Sequence, residues 1–543
     1  MKKNEFMEGA MIATLAIILS KVMGLLYVVP FNHIIGTDGG ALYGYAYKIY
    51  DIFLIISSAG IPLAISKLTS EYNTLGMQKE KTFMYKKSMR FIFIFSLISF
   101  LICFFGAPLL AHMIVVNPDE VYGINDVIFV IRCVSFAVLV VPLLSILRGY
   151  LQGHRYITAS SFSQVIEQLV RVVIIIFGSM IAIKVFDASI PVAVGIAILG
   201  ACAGAIIAYL YLYLKIRKAR KEIVESNEEV SKADKKKIYR KIIFYCIPFI
   251  AINISNSLYN FIDMILVKRG LNMVGYSGAD ITTISSIFTT WSSKLASIVT
   301  AFATGLAISL IPSIVEAFTK NDQKTVNKHF NKILQTLLYV ILPIGIFMSI
   351  FSVQIWPIFF QETAYGPDIL KIIILLAILD GAYIMVGSAL QGLSKTKLIY
   401  ISVLIGLGVK IALDIPMMLL FDKMGIAAYH GAMADSFIGY LFSIGIPLVV
   451  LNKKYNFSYK ETLKTLPKLI VTVTIMIILA IFARNMIFTH PLGRLKNAIY
   501  VAGIGSVLAV IYYFLNKDLM NKLLGDKISS KFRFLKKKKT TSN

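Results

Sequence analysis

Residues 91–115 read FIFIFSLISFLICFFGAPLLAHMIV, twenty-five positions in a row without an Asp, Glu, Lys or Arg. A helix that is apolar all round has no face to offer water, and crossing a bilayer takes about 20 apolar residues. The stretch therefore predicts a membrane span. Working outward, a basic segment precedes it: residues 67–90 carry six Lys or Arg. This alternation of apolar run and charged connector repeats along the chain. Spans are expected near 7–29, 43–66, 91–115, 125–147, 157–183, 192–214, 242–267 and 281–311, then 333–355, 369–390, 398–420, 425–450, 468–488 and 497–515. The expected fold class is an all-α polytopic membrane protein with about 14 transmembrane helices. Composition agrees: the 543 residues are 57% hydrophobic and 15% charged, with mean hydropathy +0.76, whereas soluble domains carry about 25% charged residues. A soluble enzyme, a secreted disulfide scaffold and a disordered tail protein are excluded.

The connectors give the orientation. Lys and Arg number 55 against 29 acidic residues, a net charge of +26. A nucleic-acid binder would gather this excess on one soluble face, but here it lies in short clusters between spans, so no nucleic-acid partner is expected. Connectors on the side of the N-terminus hold 41 basic residues and those on the other side 7. Cytoplasmic loops carry the basic excess, which places both termini in the cytoplasm. The first span has no convincing cleavage site and is expected to stay in the membrane. The longest polar segment, KIRKARKEIVESNEEVSKADKKKIYRK over 215–241, divides two halves. The expected organisation is a six-helix bundle over 1–215, a basic cytoplasmic linker over 216–240 and a second six-helix bundle over 241–452. Two extra helices over 453–516 and a basic tail over 517–543 follow.

The halves echo each other. Leu151-Gln152-Gly153 recurs as Leu390-Gln391-Gly392, and Ala64-Ile65-Ser66 as Ala307-Ile308-Ser309. Six spans per half make this a parallel repeat, the type that carries a substrate site between its halves. Charges inside spans cost about 2.5–3.5 kcal/mol each on insertion scales and mark partners or pathways. Here they include Lys21, Lys48, Asp51, Arg132, Glu167, Arg171, Asp263, Lys294, Asp380, Lys410, Asp414 and Asp435. Lys48/Asp51, Glu167/Arg171 and Lys410/Asp414 are three or four apart, on shared helix faces. The repeat also sets Asp51, Glu167, Arg171 and Lys21 against Lys294, Lys410, Asp414 and Asp263, in each case with the sign reversed. Local pairing and attraction across a central cavity both fit, and Arg132, with no evident partner, is the candidate for an anion. Gly200 and Gly204 have the small-residue spacing of closely packed helices. Cys103, Cys133, Cys202 and Cys246 lie in apolar stretches without metal spacing, and the histidines are isolated. No Walker motif, nucleophile set or phosphorylation loop occurs, so neither an enzyme, a metal site nor a cofactor is expected.

Ser58-Ala-Gly-Ile-Pro-Leu-Ala-Ile-Ser-Lys67 with Ser70-Glu71, and Ser163-Gln-Val-Ile-Glu-Gln-Leu-Val-Arg171, resemble signature stretches of bacterial polysaccharide-type flippases of the multidrug/oligosaccharidyl-lipid/polysaccharide exporter superfamily. The branch it resembles is that of the MurJ-like lipid II flippases, with the stage V sporulation protein B type. The resemblance implies a transporter of the bacterial cytoplasmic membrane for peptidoglycan biosynthesis, cell wall and cell shape. It would carry undecaprenyl-pyrophosphate-linked precursor to the outer leaflet by alternating access, as residues 1–215 rock against 240–450. Partners implied are that lipid-linked oligosaccharide and membrane lipids, with the chain a monomer associated with cell-wall synthesis proteins. A cationic cavity of Lys21, Lys48, Arg132 and Lys294 would hold the diphosphate. Asp51, Glu167, Arg171, Asp263, Lys410 and Asp414 would form charge pairs or couple transport. Some family members bind sodium at positions that look like Asp263, Lys410 and Asp414. A lysine there supplies the positive charge itself, so no sodium is expected. Other cargoes left open are capsule, teichoic-type or spore-wall precursors, or drugs exchanged for a cation.

Overall fold

The computed structural model describes residues 22–58, 61–218, 230–361, 364–490 and 492–524, with residues 16, 19, 20 and 223. Lys21, the leader over 1–15, most of the linker over 219–229 and the tail over 525–543 lie outside the described residues. Every regular element among the described residues is helical. In chain order they are α1 Val28–Ser58, α2 Ile61–Thr74, α3 Gln78–Phe105, α4 Ala107–Ile114 and α5 Ile124–Gly153. Next come α6 Ile157–Lys184, α7 Ile190–Lys218, α8 Lys232–Val274 and α9 Gly278–Ser286. Then follow α10 Ser292–Thr319, α11 Gln323–Ile350, α12 Ser352–Phe359 and α13 Gly366–Gly392. The last five are α14 Thr396–Lys423, α15 Tyr429–Tyr455, α16 Lys460–Ile487, α17 Arg494–Leu515 and α18 Lys517–Leu524.

Among the described residues, ten helices are long and apolar enough to cross a membrane: α3, α5, α6, α7, α11 and α13 to α17. Each overlaps one expected span, which makes this a multi-pass membrane protein. Three more expected spans fall on α1 with α2, on α8, and on α9 with α10, while residues 7–29 lie mostly outside the described residues. Several connectors expected as loops are helical instead. Residues 30–42 belong to α1, which bends at Gly36 (φ 73°). Residues 148–153 complete α5, and residues 268–274 complete α8. Backbone groups in lipid must be satisfied within the helix, and nothing requires the helix to end where the lipid does. Apolarity marks the edge of the bilayer, not the end of the helix.

The chain divides into two compact units, Met1–Trp291 with Ile411–Ala432, and Ser292–Lys410 with Met433–Asn543. In the first, α5 packs against α1, α2, α3 and α7. Glycine permits the closest of these approaches: a methyl group on Gly149 would overlap the Pro62 backbone, and one on Gly153 would overlap Ser66 and Thr69 of α2. Gly200 and Gly204 of α7 likewise rest on the Arg171 and Glu167 backbone of α6. A wide π-turn at Ile287–Trp291 follows α9. Beyond the Gly36 bend, Trp291 Nε1 donates to the Thr37 carbonyl at 2.9 Å, as does Ser286 Oγ, and Thr290 Oγ1 donates to the Gly40 carbonyl at 2.7 Å. Side-chain donors after α9 thus fasten this segment to the backbone of α1 just past its bend.

In the second unit, α16 and α17 dock on α11. Leu469, Val473 and Met476 of α16 and Tyr512 of α17 bury around Tyr339. Asn331, Gln335 and Tyr339, each four residues apart on α11, donate to the carbonyls of Ser458, Glu461 and Thr465 at 2.7, 2.9 and 2.6 Å. The repeat is legible in local geometry too. After Leu151-Gln152-Gly153, Arg155 turns left-handed (φ 65°) and Tyr156 N–H bonds the Leu151 carbonyl at 2.9 Å. After Leu390-Gln391-Gly392, Ser394 does the same (φ 56°) and Lys395 N–H bonds the Leu390 carbonyl, again at 2.9 Å.

Candidate functional site

Lys48 and Asp51 lie on α1. Lys48 is half-buried and donates to Asn260 Oδ1 of α8 at 3.1 Å, while Asp51 is exposed. Asp263, nearly buried, follows Asn260 by three residues and so shares its face of α8. A second stripe of α1 carries Tyr43, Tyr47 and Tyr50, with ring centroids 4.4 Å apart for the first pair and 5.7 Å for the second.

This tyrosine stripe faces a charge cluster formed by α5 and α6. Glu167 Oε1 accepts from Arg171 Nη2 at 2.9 Å, and its Oε2 accepts from Arg148 Nη2 at 2.8 Å. Arg148 Nε also donates to Ser163 Oγ at 2.9 Å. The expected pairing of Glu167 with Arg171 is present, but the sequence missed the third member. Arg148 ends an apolar run and so reads as a connector charge, but α5 continues through it to Gly153 and brings it to Glu167.

A further pair was also hidden in connectors. Lys268 and Glu120 are buried, with Nζ 2.6 Å from Oε2. Glu120 Oε1 takes the backbone N–H groups of Val116 and Asn117 at 2.9 and 3.2 Å, and Lys268 Nζ sits 4.5 Å from the centre of the Tyr45 ring. Both charges are thus paired, and the carboxylate is further held by backbone N–H groups, as a buried pair requires. Asn117 donates to Asn272 at 2.9 Å and Thr283 to Asp38 at 2.6 Å, so the α4–α5 connector and α1 are both fastened to α8 and α9.

The other site residues are distributed as follows. Arg132 is exposed on α5, its guanidinium 5.2 Å from the Phe104 ring, on a helix where Phe129 and Phe136 are exposed as well. Lys294 is half-buried near the start of α10. In the second unit Lys410 is fully buried, 3.2 Å from Asp435 Oδ2 and 2.9 Å from Ser436 Oγ, both of α15. Asp414 of α14, also buried, belongs to the first unit. Asp435 thereby receives a resident ammonium, and a sodium ion there would have to compete with it. Among the described residues no cluster of His, Cys, Asp and Glu has the makings of a metal site.

The arrangement holds basic groups in apolar helices beside tyrosines and amides. It can neutralise an anion chemically, by charge-assisted hydrogen bonds. The family model described as polysaccharide biosynthesis protein matches residues 6–304, and the MatE model matches residues 248–415. The chain is 29% identical to the lipid II flippase MurJ of Bacillus subtilis (strain 168), over 98% of each chain. It is 25% identical to stage V sporulation protein B of the same organism over 51% of each. Among solved structures, that of lipid II flippase MurJ in an inward closed conformation superposes with a TM-score of 0.63 at 18% identity, over 94% of this chain and 100% of the other. The fold is therefore of the kind these flippases share.

Proposed function

The chain belongs to the polysaccharide biosynthesis protein family, and from that premise we propose that it flips lipid II, the undecaprenyl-pyrophosphate-linked peptidoglycan precursor, across the cytoplasmic membrane. The observation that carries this reading is its end-to-end correspondence with the Bacillus lipid II flippase. The task is a physical one. A diphosphate cannot cross about 30 Å of hydrocarbon unless its charge is met on the way. In the proposal Lys21, Lys48, Lys294 and Arg132 meet it, and the polyprenyl tail stays in lipid. No covalent bond changes, so the role is transport and not catalysis. Alternating access exposes the site to each face in turn. Fourteen spans in two pseudo-symmetric six-helix bundles, over 1–215 and 241–452, belong to this reading, as do two extra helices, a basic linker and cytoplasmic termini. The matching turns after the two Leu-Gln-Gly segments support the repeat.

The test is the amount of lipid II exposed on the outer leaflet after depletion of the protein, read with an impermeable enzyme that degrades only exposed precursor. Exposed lipid II is expected to fall while total precursor rises. Unchanged exposure in a strain lacking related flippases would overturn the reading in favour of another lipid-linked glycan. In the same assay Lys48→Ala is expected to abolish flipping with membrane insertion intact. Arg132→Ala, made at an exposed position, tests whether that residue belongs to the cationic set.

A further inference from the structure

The cluster of Arg148, Glu167 and Arg171 is out of charge balance. Two guanidinium groups share one carboxylate, leaving one net positive charge on side chains that are 14%, 19% and 13% exposed for Arg148, Arg171 and Glu167. Glu167, Arg171 and Tyr50 lie near Arg148, and Glu167 with Tyr43, Tyr47 and Tyr50 lies near Arg171. Asp51, the carboxylate that follows Tyr50, is exposed. A largely buried charge without an opposite partner is costly, and ionisable groups inside spans mark substrate or ion pathways.

The hydrogen bonds separate the two arginines. Arg148 is committed: its Nε serves Ser163, its Nη2 serves Glu167, and Ser163 is itself anchored to the Ser160 carbonyl at 2.6 Å. Arg171 gives Glu167 only Nη2, and its buried Nε–H has no hydrogen-bond partner among the described residues. Gly200 and Gly204 of α7 lock the backbone of Arg171 and Glu167 from behind. Tyr43, Tyr47 and Tyr50 stand around the guanidinium. A planar donor fork, half engaged and rigidly backed, is suited to phosphate oxygens.

We propose that Arg171 is a phosphate-binding arm for the lipid-linked diphosphate, oriented by Glu167, which Arg148 holds in turn. This rests on the flippase reading and adds to it residues outside the cationic set. The ligand is the oxyanion of a diphosphate lipid, met by the free part of the Arg171 fork. Arg148 and Glu167 are positioning residues.

The full-length protein in detergent would be titrated with undecaprenyl diphosphate and, separately, with undecaprenol, and each variant's melting temperature recorded. The wild type is expected to prefer the diphosphate, with the preference shrinking as salt rises. Arg171→Gln should weaken diphosphate binding about tenfold or more, the worth of a charged hydrogen bond, and leave undecaprenol binding unchanged. Arg171→Lys should retain part of the preference. Glu167→Gln leaves the Arg171 charge in place but loosens its orientation, so it should weaken diphosphate binding clearly less than Arg171→Gln does. A purely structural ion pair predicts that Arg171→Gln and Glu167→Gln behave alike, with equal losses of melting temperature. That result, or wild-type binding by Arg171→Gln, overturns the proposal and leaves the flippase reading standing. A wild type without preference for the diphosphate overturns the flippase reading itself.

Discussion

Lys268 and Glu120 illustrate what a single side chain contributes here. Removing one member of a buried, hydrogen-bonded pair leaves the other charge in a low-dielectric site, at a cost of about 3–5 kcal/mol. Lys268→Ala is therefore expected to lower the melting temperature of the purified protein markedly. Replacing Lys268 by Met together with Glu120→Gln, which keeps an oxygen for the Val116 and Asn117 N–H groups, should recover part of the loss. Equal melting of Lys268→Ala and wild type would show that the pair is not the anchor its geometry describes. The pair also shows where sequence reading stops. Glu167 and Arg171 are one helical turn apart, and the spacing alone predicts their contact. Glu120 and Lys268 are separated by 148 residues, and no periodicity reports a partner that distant. Lys410 lies between the two cases. Its burial is legible from the apolar run around it, but its partners Asp435 and Ser436 come from the next helix.

At the scale of elements, ten spans were legible because a length of uninterrupted apolarity has few meanings. Their ends were not, since a helix leaving the bilayer keeps its own hydrogen bonds and needs no signal. The π-turns at Ile174–Gly178, Ile287–Trp291 and Leu337–Ile341 left no trace in composition either. Their sequences are ordinary apolar ones, and the widening depends on what packs alongside. Close approach between helices is legible at Gly200 and Gly204, four apart inside an apolar run; Gly149 and Gly153 have the same spacing, but they lie past the apolar run, where a connector was expected, and there α5 meets α2. Gly149→Val should force α2 and α5 apart and reduce the yield of folded protein. Size-exclusion profiles would check this, with Gly305→Val as the control, since no atom lies within 4 Å of its added carbon.

For the molecule as a whole, the charge inventory bears on what drives transport. Lys410 brings its own cation to Asp435 in the second unit. Flipping by the protein reconstituted in liposomes is therefore expected to proceed at the same rate when potassium replaces sodium. Clear stimulation by sodium would require an ion site that Lys410 does not occupy. The length of α8 has a consequence of another kind. Its 43 residues span about 65 Å at 1.5 Å per residue, roughly twice the hydrocarbon thickness, and Lys268 pins it near one end. Near its other end Lys241 pairs with Glu71 of α2 at 2.6 Å, and once that more exposed contact opens, a rod held so far off-centre amplifies motion. A tilt of ~10° about Lys268 would sweep the opposite end, near Lys235, through roughly 9 Å by the same helical rise. A spectroscopic label on that end would read as a large displacement what is a barely detectable shift at the pin.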